Sequence, residues 1–400
     1  MSFHSIESMQ KRTPPTGYAP FALGFRPFFL AAGLFAVLLL GLWLLVLRGW
    51  IDTGSLPPAV WHGHEMLFGF TVAVIAGFLL TAVQNWTGLR TPSGTPLAAL
   101  FLLWLAGRVI FLVPDIPAGL AAAVDMLFLP VLALVLALPL VKVKQLHNYP
   151  FPLMLLALTA ANALVHMEAL GWTTDTATLG LHLAAYVVVV MVVVMGGRVI
   201  PSFTENRLQQ GFKAKRGRIR DTGAILATLA ALASTLFAPS GFLTTLLCGL
   251  ASMLHFVRLI GWHERRLWSV PLLWILHLGY AWIVLGFALL ALFGAGLTAA
   301  GSSALHAFTA GGIGVLTLGM MARVSLGHSG RMLESAPAMT LAFVAVNLAA
   351  LIRVAMPLLF PAAYVQGIEW AGLAWMLAFS IFVAVYAPIL LRPRVDGKPG

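Results

Sequence analysis

The stretch Trp61–Met66 places two histidines and one glutamate within four consecutive positions, His62, His64 and Glu65, ahead of an apolar run to Ala82. Imidazole nitrogens bind haem iron, copper and zinc, and a neighbouring carboxylate commonly orients the ring through its second nitrogen. Ionisable groups at membrane depth are costly and are usually functional. We therefore predict that this stretch forms one wall of a metal site.

The spacing of the two histidines leaves two arrangements open. On a helix, positions two apart differ by about 200°, so a helical segment would aim His62 and His64 at different partners. If the chain stays extended as far as Gly63, both rings can bind one ion. Glu65 is the candidate catalytic group, either as a proton donor or as an orienting group for a ligand.

The elements that carry these residues are membrane helices. The sequence is 60% hydrophobic and 9% charged, whereas about a quarter of the residues in a soluble domain are charged. Its apolar runs are continuous and near the ~20 residues that a spanning helix needs, which excludes the alternating strands of a barrel. The single cysteine, Cys248, argues against disulfides and Cys-ligated clusters. The fold class is an all-α polytopic membrane protein.

Twelve spans are predicted within a single membrane domain. They cover residues 28–48, 63–84, 96–114, 118–142, 151–171, 178–200, 221–238, 241–260, 270–293, 300–323, 337–358 and 365–392. The longest connection, 201–221, is strongly basic and separates two halves of six helices. We expect this loop on the cytoplasmic side.

Positive charge predicts the orientation. Of the 24 Lys and Arg residues, all but Arg48, Arg108 and Arg353 fall on one side of the twelve spans. The positive-inside rule then predicts that both termini are cytoplasmic. We therefore attribute the net charge of +11 to the basic residues that orient the protein in the membrane, and we expect no nucleic-acid partner.

With the orientation set, many polar residues fall in the outer third of the bilayer, where a bundle could bring them together. They are His62, His64, His166, His182, His306, Glu65, Asp115, Asp125, Glu168, Glu369, Arg108 and Arg353. A smaller inner set comprises His255, His277 and Tyr280. The sequence leaves open whether the inner set is a second site or ordinary core.

An isolated buried histidine is as readily a hydrogen-bonded core residue as a ligand, but the outer set is harder to explain by packing alone. The ligand candidates are His62, His64, His166, His182, His277 and His306. Arg108 and Arg353 are candidates to pair with anionic groups such as haem propionates. No HExxH, CxxCH, Walker A or GxGxxG motif occurs, which removes support for c-type haem attachment, nucleotide hydrolysis and flavin chemistry.

Several longer blocks resemble the NnrS family, and the likeness runs from about residue 20 to about residue 390. The blocks are LGFRPFF at 23–29, WHGHEMLFG at 61–69, GFLLTAVQNWTG at 77–88, GRVIPSFT at 197–204 and RVSLGHSGR at 323–331. The family motif positions are His62, His64, Glu65, Arg198, His277, His306, Arg323, His328 and Arg331. The resemblance implies a bacterial inner-membrane protein with twelve helices, linked to nitric oxide metabolism and nitrosative stress. It also implies haem, here expected as haem b, and copper or another second metal.

The leading hypothesis is reduction of nitric oxide to nitrous oxide at a buried His-ligated site, with electrons from quinol or an external donor. Nitric oxide is small and apolar, so it can reach such a site through the lipid bilayer. One rival is a protein that binds nitric oxide or haem without turnover. Another is a twelve-helix transporter or metal-handling protein, although the two halves share almost no sequence symmetry. The oligomeric state is not predicted.

Overall fold

A computed structural model describes residues 17–53, 56–112, 116–208, 211–298 and 301–398. These residues form twelve helices, numbered α1 to α12, and no strand. The helices are α1 Phe25–Leu47, α2 Pro58–Thr87, α3 Thr95–Val109, α4 Ala118–Lys142, α5 Pro150–Ala169, α6 Thr176–Leu208, α7 Arg218–Phe237, α8 Phe242–Trp262, α9 Pro271–Gly294, α10 Gly301–His328, α11 Pro337–Leu359 and α12 Tyr364–Leu391.

The predicted polytopic all-α fold is confirmed. Eleven of the helices are long and apolar enough to cross a membrane. The remaining helix, α3, has 15 residues and continues as a short 3-10 turn at 110–112; the end of its predicted span lies outside the described residues. The sixth helix runs on to Leu208, past the predicted span end at 200. A proline in a membrane helix, here Pro201, is tolerated where neighbouring groups satisfy the freed carbonyl.

Two helices form the centre of the bundle. In their most apolar stretches, 78% of the residues of α2 and 67% of those of α10 are buried, against 28–50% for the other spans. Sequence-adjacent helices pack in succession around this pair, and α12 returns to pack on α1. The residues of α2 and α10 are therefore shielded from lipid and can hold polar groups.

Both central helices contain a π-helical segment. In α2 this segment is Glu65–Thr71, directly after His64, and in α10 it is Ala307–Gly314, directly after His306. The π turn is wider than an α turn and shifts the angular register of the residues on either side. Such segments are frequent at functional sites, and here each one begins beside a candidate ligand.

One buried arginine joins the two ends of the fold. Arg26, at the start of α1, is fully buried, and its Nη1 donates to the carbonyls of Ile389, Leu390 and Arg392 at 3.2, 3.1 and 2.5 Å. The last carbonyls of a helix have no partner within that helix, and they carry partial negative charge that favours a cation. Arg26 therefore caps α12.

Replacing Arg26 with alanine is expected to destabilise the protein by about 2–4 kcal/mol, because three charge-assisted bonds from a buried guanidinium to helix-end carbonyls are lost together. Thermal or denaturant unfolding in detergent measures this. The matched control is Arg90→Ala, at an exposed arginine, which should shift stability by no more than about 0.5 kcal/mol. Equal effects of the two substitutions would contradict the capping role.

Candidate metal centre

Side chains from α2, α4 and α5 meet at the end of the bundle where α2 begins and α5 ends. The Nε2 atoms of His64 and His166 lie 3.3 and 2.8 Å from the same oxygen, Oδ2 of Asp125. All three side chains are buried, and one donor atom from each falls within 4.8 Å of the other two. Metal–ligand bonds of about 2.0–2.2 Å require donors this close, so the three residues can hold one ion.

A second layer of polar groups surrounds these donors. Arg108 Nη1 donates to Glu65 Oε1 at 2.6 Å, and Nη2 of the same guanidinium pairs with Asp125. Asn162 donates from Nδ2 to Asp125 Oδ2 at 2.7 Å, while its Oδ1 lies 2.9 Å from His64 Nε2. The carboxylate of Asp125 is therefore fixed from two sides.

With both acids ionised, this cluster holds more negative than positive charge. Glu65 and Asp125 supply two negative charges and Arg108 one positive charge, all buried. An uncompensated buried charge is strongly destabilising. Both ring nitrogens of His64 face acceptors, with Nδ1 lying 3.0 Å from Glu65 Oε1. A metal ion bound at Nε2 of His64 would offset the excess negative charge.

Local packing explains how the helices come this close. An added Cβ at Gly107 would lie 3.0 Å from Asp125 Oδ1 and 3.2 Å from its Cα, so α3 and α4 approach because position 107 has no side chain. The Trp104 indole donates to the Gly69 carbonyl at 3.1 Å, within the π segment. The ring of Phe111 stacks on His166 at an interplanar angle of 7° and covers the site.

A second group of candidates lies on α1, α2, α10 and α11. His62, His306 and Arg353 are close enough to interact electrostatically, and the His62 ring stacks on Trp43 with centroids 4.4 Å apart. His306 Nδ1 donates to the Ser302 carbonyl at 2.7 Å, which leaves the lone pair on Nε2. The three polar residues are only partly buried, so the rings retain accessible surface for a ligand.

Two polar atoms of this group are buried without a hydrogen-bond partner among the described residues, His62 Nδ1 and Arg353 Nη1. Most buried polar atoms in proteins are paired. The other terminal nitrogen of the Arg353 guanidinium, Nη2, donates to the Tyr364 hydroxyl at 3.3 Å. An imidazole nitrogen and a guanidinium nitrogen that both lack partners fit a ligand that carries a metal and an anionic group.

The remaining histidine candidates have other surroundings. His182 Nδ1 contacts the Thr178 carbonyl at 2.8 Å, and its ring lies against Tyr186. His277 is buried between the carbonyls of Leu273 and Trp262, at 3.0 and 3.4 Å. The structure therefore brings neither of them into contact with the two groups above.

The acidic residues predicted in the outer third of the bilayer also have different surroundings. Glu65 and Asp125 enter the centre, whereas Glu168 accepts the Ala177 backbone N–H at 2.7 Å and caps the start of α6. Glu369 pairs with Arg48 at the surface. Asp115 lies outside the described residues.

The structure distinguishes the two arrangements that the spacing of His62 and His64 left open, a helical segment or an extended one. Helix α2 begins at Pro58, so both histidines are helical and point in different directions. His62 turns toward Trp43 of α1, and His64 turns toward α4 and α5. The two rings therefore have different neighbours and do not meet at one position.

Two residues of the centre were not among the sequence-based site candidates, Asp125 and Asn162. Asp125 was recognised only as an acid at the outer end of its span. A carboxylate within an apolar run, at the same expected depth as Arg108, is a signal for such a pair. Asn162 lies four positions before His166 on one face of α5, which is a weaker signal.

An apolar cavity of about 110 Å³ lies where α2, α6 and α10 meet. Its walls include Thr71 and Ile75 of α2, Met191 and Met195 of α6, and Met320 of α10. Both threonine hydroxyls in the wall bond to carbonyls of their own helices, so the interior offers no polar group. It lies beside the two π segments and is suited to a small apolar molecule.

The comparisons with known proteins agree with the resemblance in the sequence. The sequence model of one family, described as NnrS protein, matches residues 19–394, which is nearly the whole chain. No curated protein matches the sequence.

Proposed function

The chain belongs to the NnrS family, and from this premise we propose that it is a bacterial inner-membrane protein that reduces nitric oxide to nitrous oxide. The reaction combines two nitric oxide molecules, two electrons and two protons into nitrous oxide and water. The main observation in support of the proposal is the buried centre of His64, Asp125 and His166, whose donor atoms lie close enough to hold one metal ion. We further propose that the basic loop and both termini face the cytoplasm.

The donor set suits a redox-active metal. Two imidazoles and one carboxylate are the donors of many non-haem iron sites, and imidazole also suits copper. The family resemblance favours copper here. When bound, such a metal would supply electrons and a binding position for nitric oxide. The chain itself contributes Asp125, held by Arg108 and Asn162, and two rings that are excluded from water.

Glu65 is proposed as the group that orients His64 and as a proton donor for the reaction. Its Oε1 lies 3.0 Å from His64 Nδ1 and accepts from Arg108 Nη1. A metal on Nε2 leaves Nδ1–H to donate to a carboxylate, the usual arrangement around a ligating histidine. Glu65 thereby fixes the orientation of the His64 ring.

The second group is proposed to hold haem b. His306 has its Nδ1 fixed by the Ser302 carbonyl, which leaves the lone pair on Nε2, and Arg353 Nη1 has no hydrogen-bond partner among the described residues. A bidentate guanidinium pairs well with a propionate. The His62 ring, stacked on Trp43, is a further candidate that would bind the haem iron. Electrons are proposed to come from quinol or an external donor.

The test begins with an absorption spectrum and metal analysis of the purified protein. We expect a haem Soret band together with about one further redox metal per chain. Reduced protein given nitric oxide without oxygen should then form nitrous oxide, measured in the headspace. Haem without nitrous oxide would reject the enzyme and favour a protein that only binds nitric oxide or haem. Absence of both haem and redox metal would favour a transporter or metal-handling protein.

A further inference from the structure

A cluster of arginines lies at the opposite end of the bundle, where α1 begins and α10 and α12 end. It is formed by Arg26, Arg331, Arg392 and Arg394, and we call it the arginine pocket. The segment after α12 folds back over the end of α10: Val395 N–H donates to the Ser329 carbonyl at 3.1 Å, and Arg394 Nη1 donates to the His328 carbonyl at 3.0 Å.

The fold-back depends on a glycine. Gly330 has φ of +76°, and a Cβ there would lie 2.9 Å from Cγ of Asp396. Both the backbone conformation and the close contact favour glycine at this position. The tail is therefore a fitted part of the fold, and it holds its arginines beside Arg26 and Arg331.

The pocket carries an excess of positive charge. Asp396 is the acid in contact with it and is already bound by Arg394 through two bonds of 2.9 and 2.6 Å. These bonds hold the pKa of the Asp396 carboxyl well below its usual range and raise the pKa of Arg394. Arg331 and Arg394 lie close enough to Arg26 to repel its charge, and Arg392 does the same to Arg331.

One donor in the pocket has no partner among the described residues. Arg331 Nη1 is buried and makes no hydrogen bond. Burial, and then the charge of Arg392, lowers the pKa of Arg331, so its surroundings disfavour the positive charge that it carries. Arg331 as a whole is partly buried, so an anion at its buried Nη1 would offset the repulsion between the like charges around it. A guanidinium is matched in geometry to carboxylate and phosphate oxygens.

We propose that the arginine pocket binds a phosphate group, carried by an anionic phospholipid headgroup or by a soluble phosphate compound. The pocket lies at the ends of three membrane helices, where lipid headgroups are expected. Basic pockets between membrane helices on the cytoplasmic side are known to bind anionic headgroups. The face concerned is the one predicted to be cytoplasmic. This site is independent of the proposed nitric oxide chemistry.

The experiment compares binding of two probes to the intact, delipidated protein in detergent. One is phosphatidylglycerol, with phosphatidylcholine as the zwitterionic reference, followed by native mass spectrometry and thermal stabilisation. The other is inorganic phosphate. We expect phosphatidylglycerol to bind and stabilise the protein and phosphatidylcholine not to do so. Stabilisation by inorganic phosphate alone would instead identify a soluble phosphate compound as the ligand.

Arg331→Gln should weaken binding by at least about tenfold, because a charge-assisted bond is removed, and Arg331→Lys should retain part of the affinity. The matched control is Arg265→Gln, at an exposed arginine in the loop between α8 and α9, which should bind as the unchanged protein does. Circular dichroism and gel filtration check that each variant is folded. Binding of neither probe to the unchanged protein, or equal weakening by Arg331→Gln and Arg265→Gln, would overturn the proposal.

Discussion

Replacing Asp125 with alanine is expected to remove the metal from the buried centre and to destabilise the protein by about 3–5 kcal/mol. Its carboxylate accepts from Asn162 at 2.7 Å and from His166 at 2.8 Å, and it pairs with Arg108. Without it, the guanidinium and the amide lose a partner in a place that water does not reach. Metal content per chain and unfolding in detergent measure the two effects.

Glu369→Ala is the matched control, because it removes a carboxylate from an arginine pair at the surface. The Arg48 side chain in that pair is 57% exposed, so the loss should be no more than about 1 kcal/mol and the metal content should not change. Asp125→Asn removes the charge of the side chain and keeps its shape. We expect this variant to lose the metal with a smaller loss of stability than Asp125→Ala. A metal content unchanged in both Asp125 variants would show that the ion, if any, is bound elsewhere.

The sequence predicts the number and approximate position of the membrane helices because long apolar runs have few alternatives in a bilayer. The sequence also predicts how deep each polar residue lies in the bilayer, because the bias in positive charge predicts the orientation of the chain. His64, Glu65, Arg108 and His166 were placed at one level in this way, and the structure brings these side chains into one cluster. Depth is therefore a useful guide to contact in a helix bundle.

What the sequence does not predict is the direction that each residue faces within its level. His182 was placed at the same depth as His64, yet it lies against Tyr186 on its own helix. Helix rotation follows from packing, such as the close approach at Gly107, and from the π segments that change the register after His64 and His306. Neither the close approach at Gly107 nor the π segments can be recognised from the spacing of apolar residues in the sequence. Because the direction that each residue faces was not predicted, the sequence analysis did not assign Asp125 and Asn162 to the site.

His62→Ala and His64→Ala, made separately, are expected to lose different cofactors. The His62 ring lies with Trp43, His306 and Arg353, where an imidazole nitrogen and a guanidinium nitrogen lack partners. We expect His62→Ala to lower the haem content and shift the Soret band, and to leave the second metal in place. We expect His64→Ala to lose the second metal and retain haem, because its Nε2 faces Asp125.

The control is His147→Ala, at an exposed histidine in the loop between α4 and α5, which should leave both contents unchanged. Loss of both cofactors from each variant would indicate one shared centre, which the helical geometry of α2 opposes, since rings two positions apart diverge by about 200°. Retention of both in each variant would contradict the assignment of either ring as a ligand. The pair of substitutions therefore decides whether the two histidines serve one metal or two.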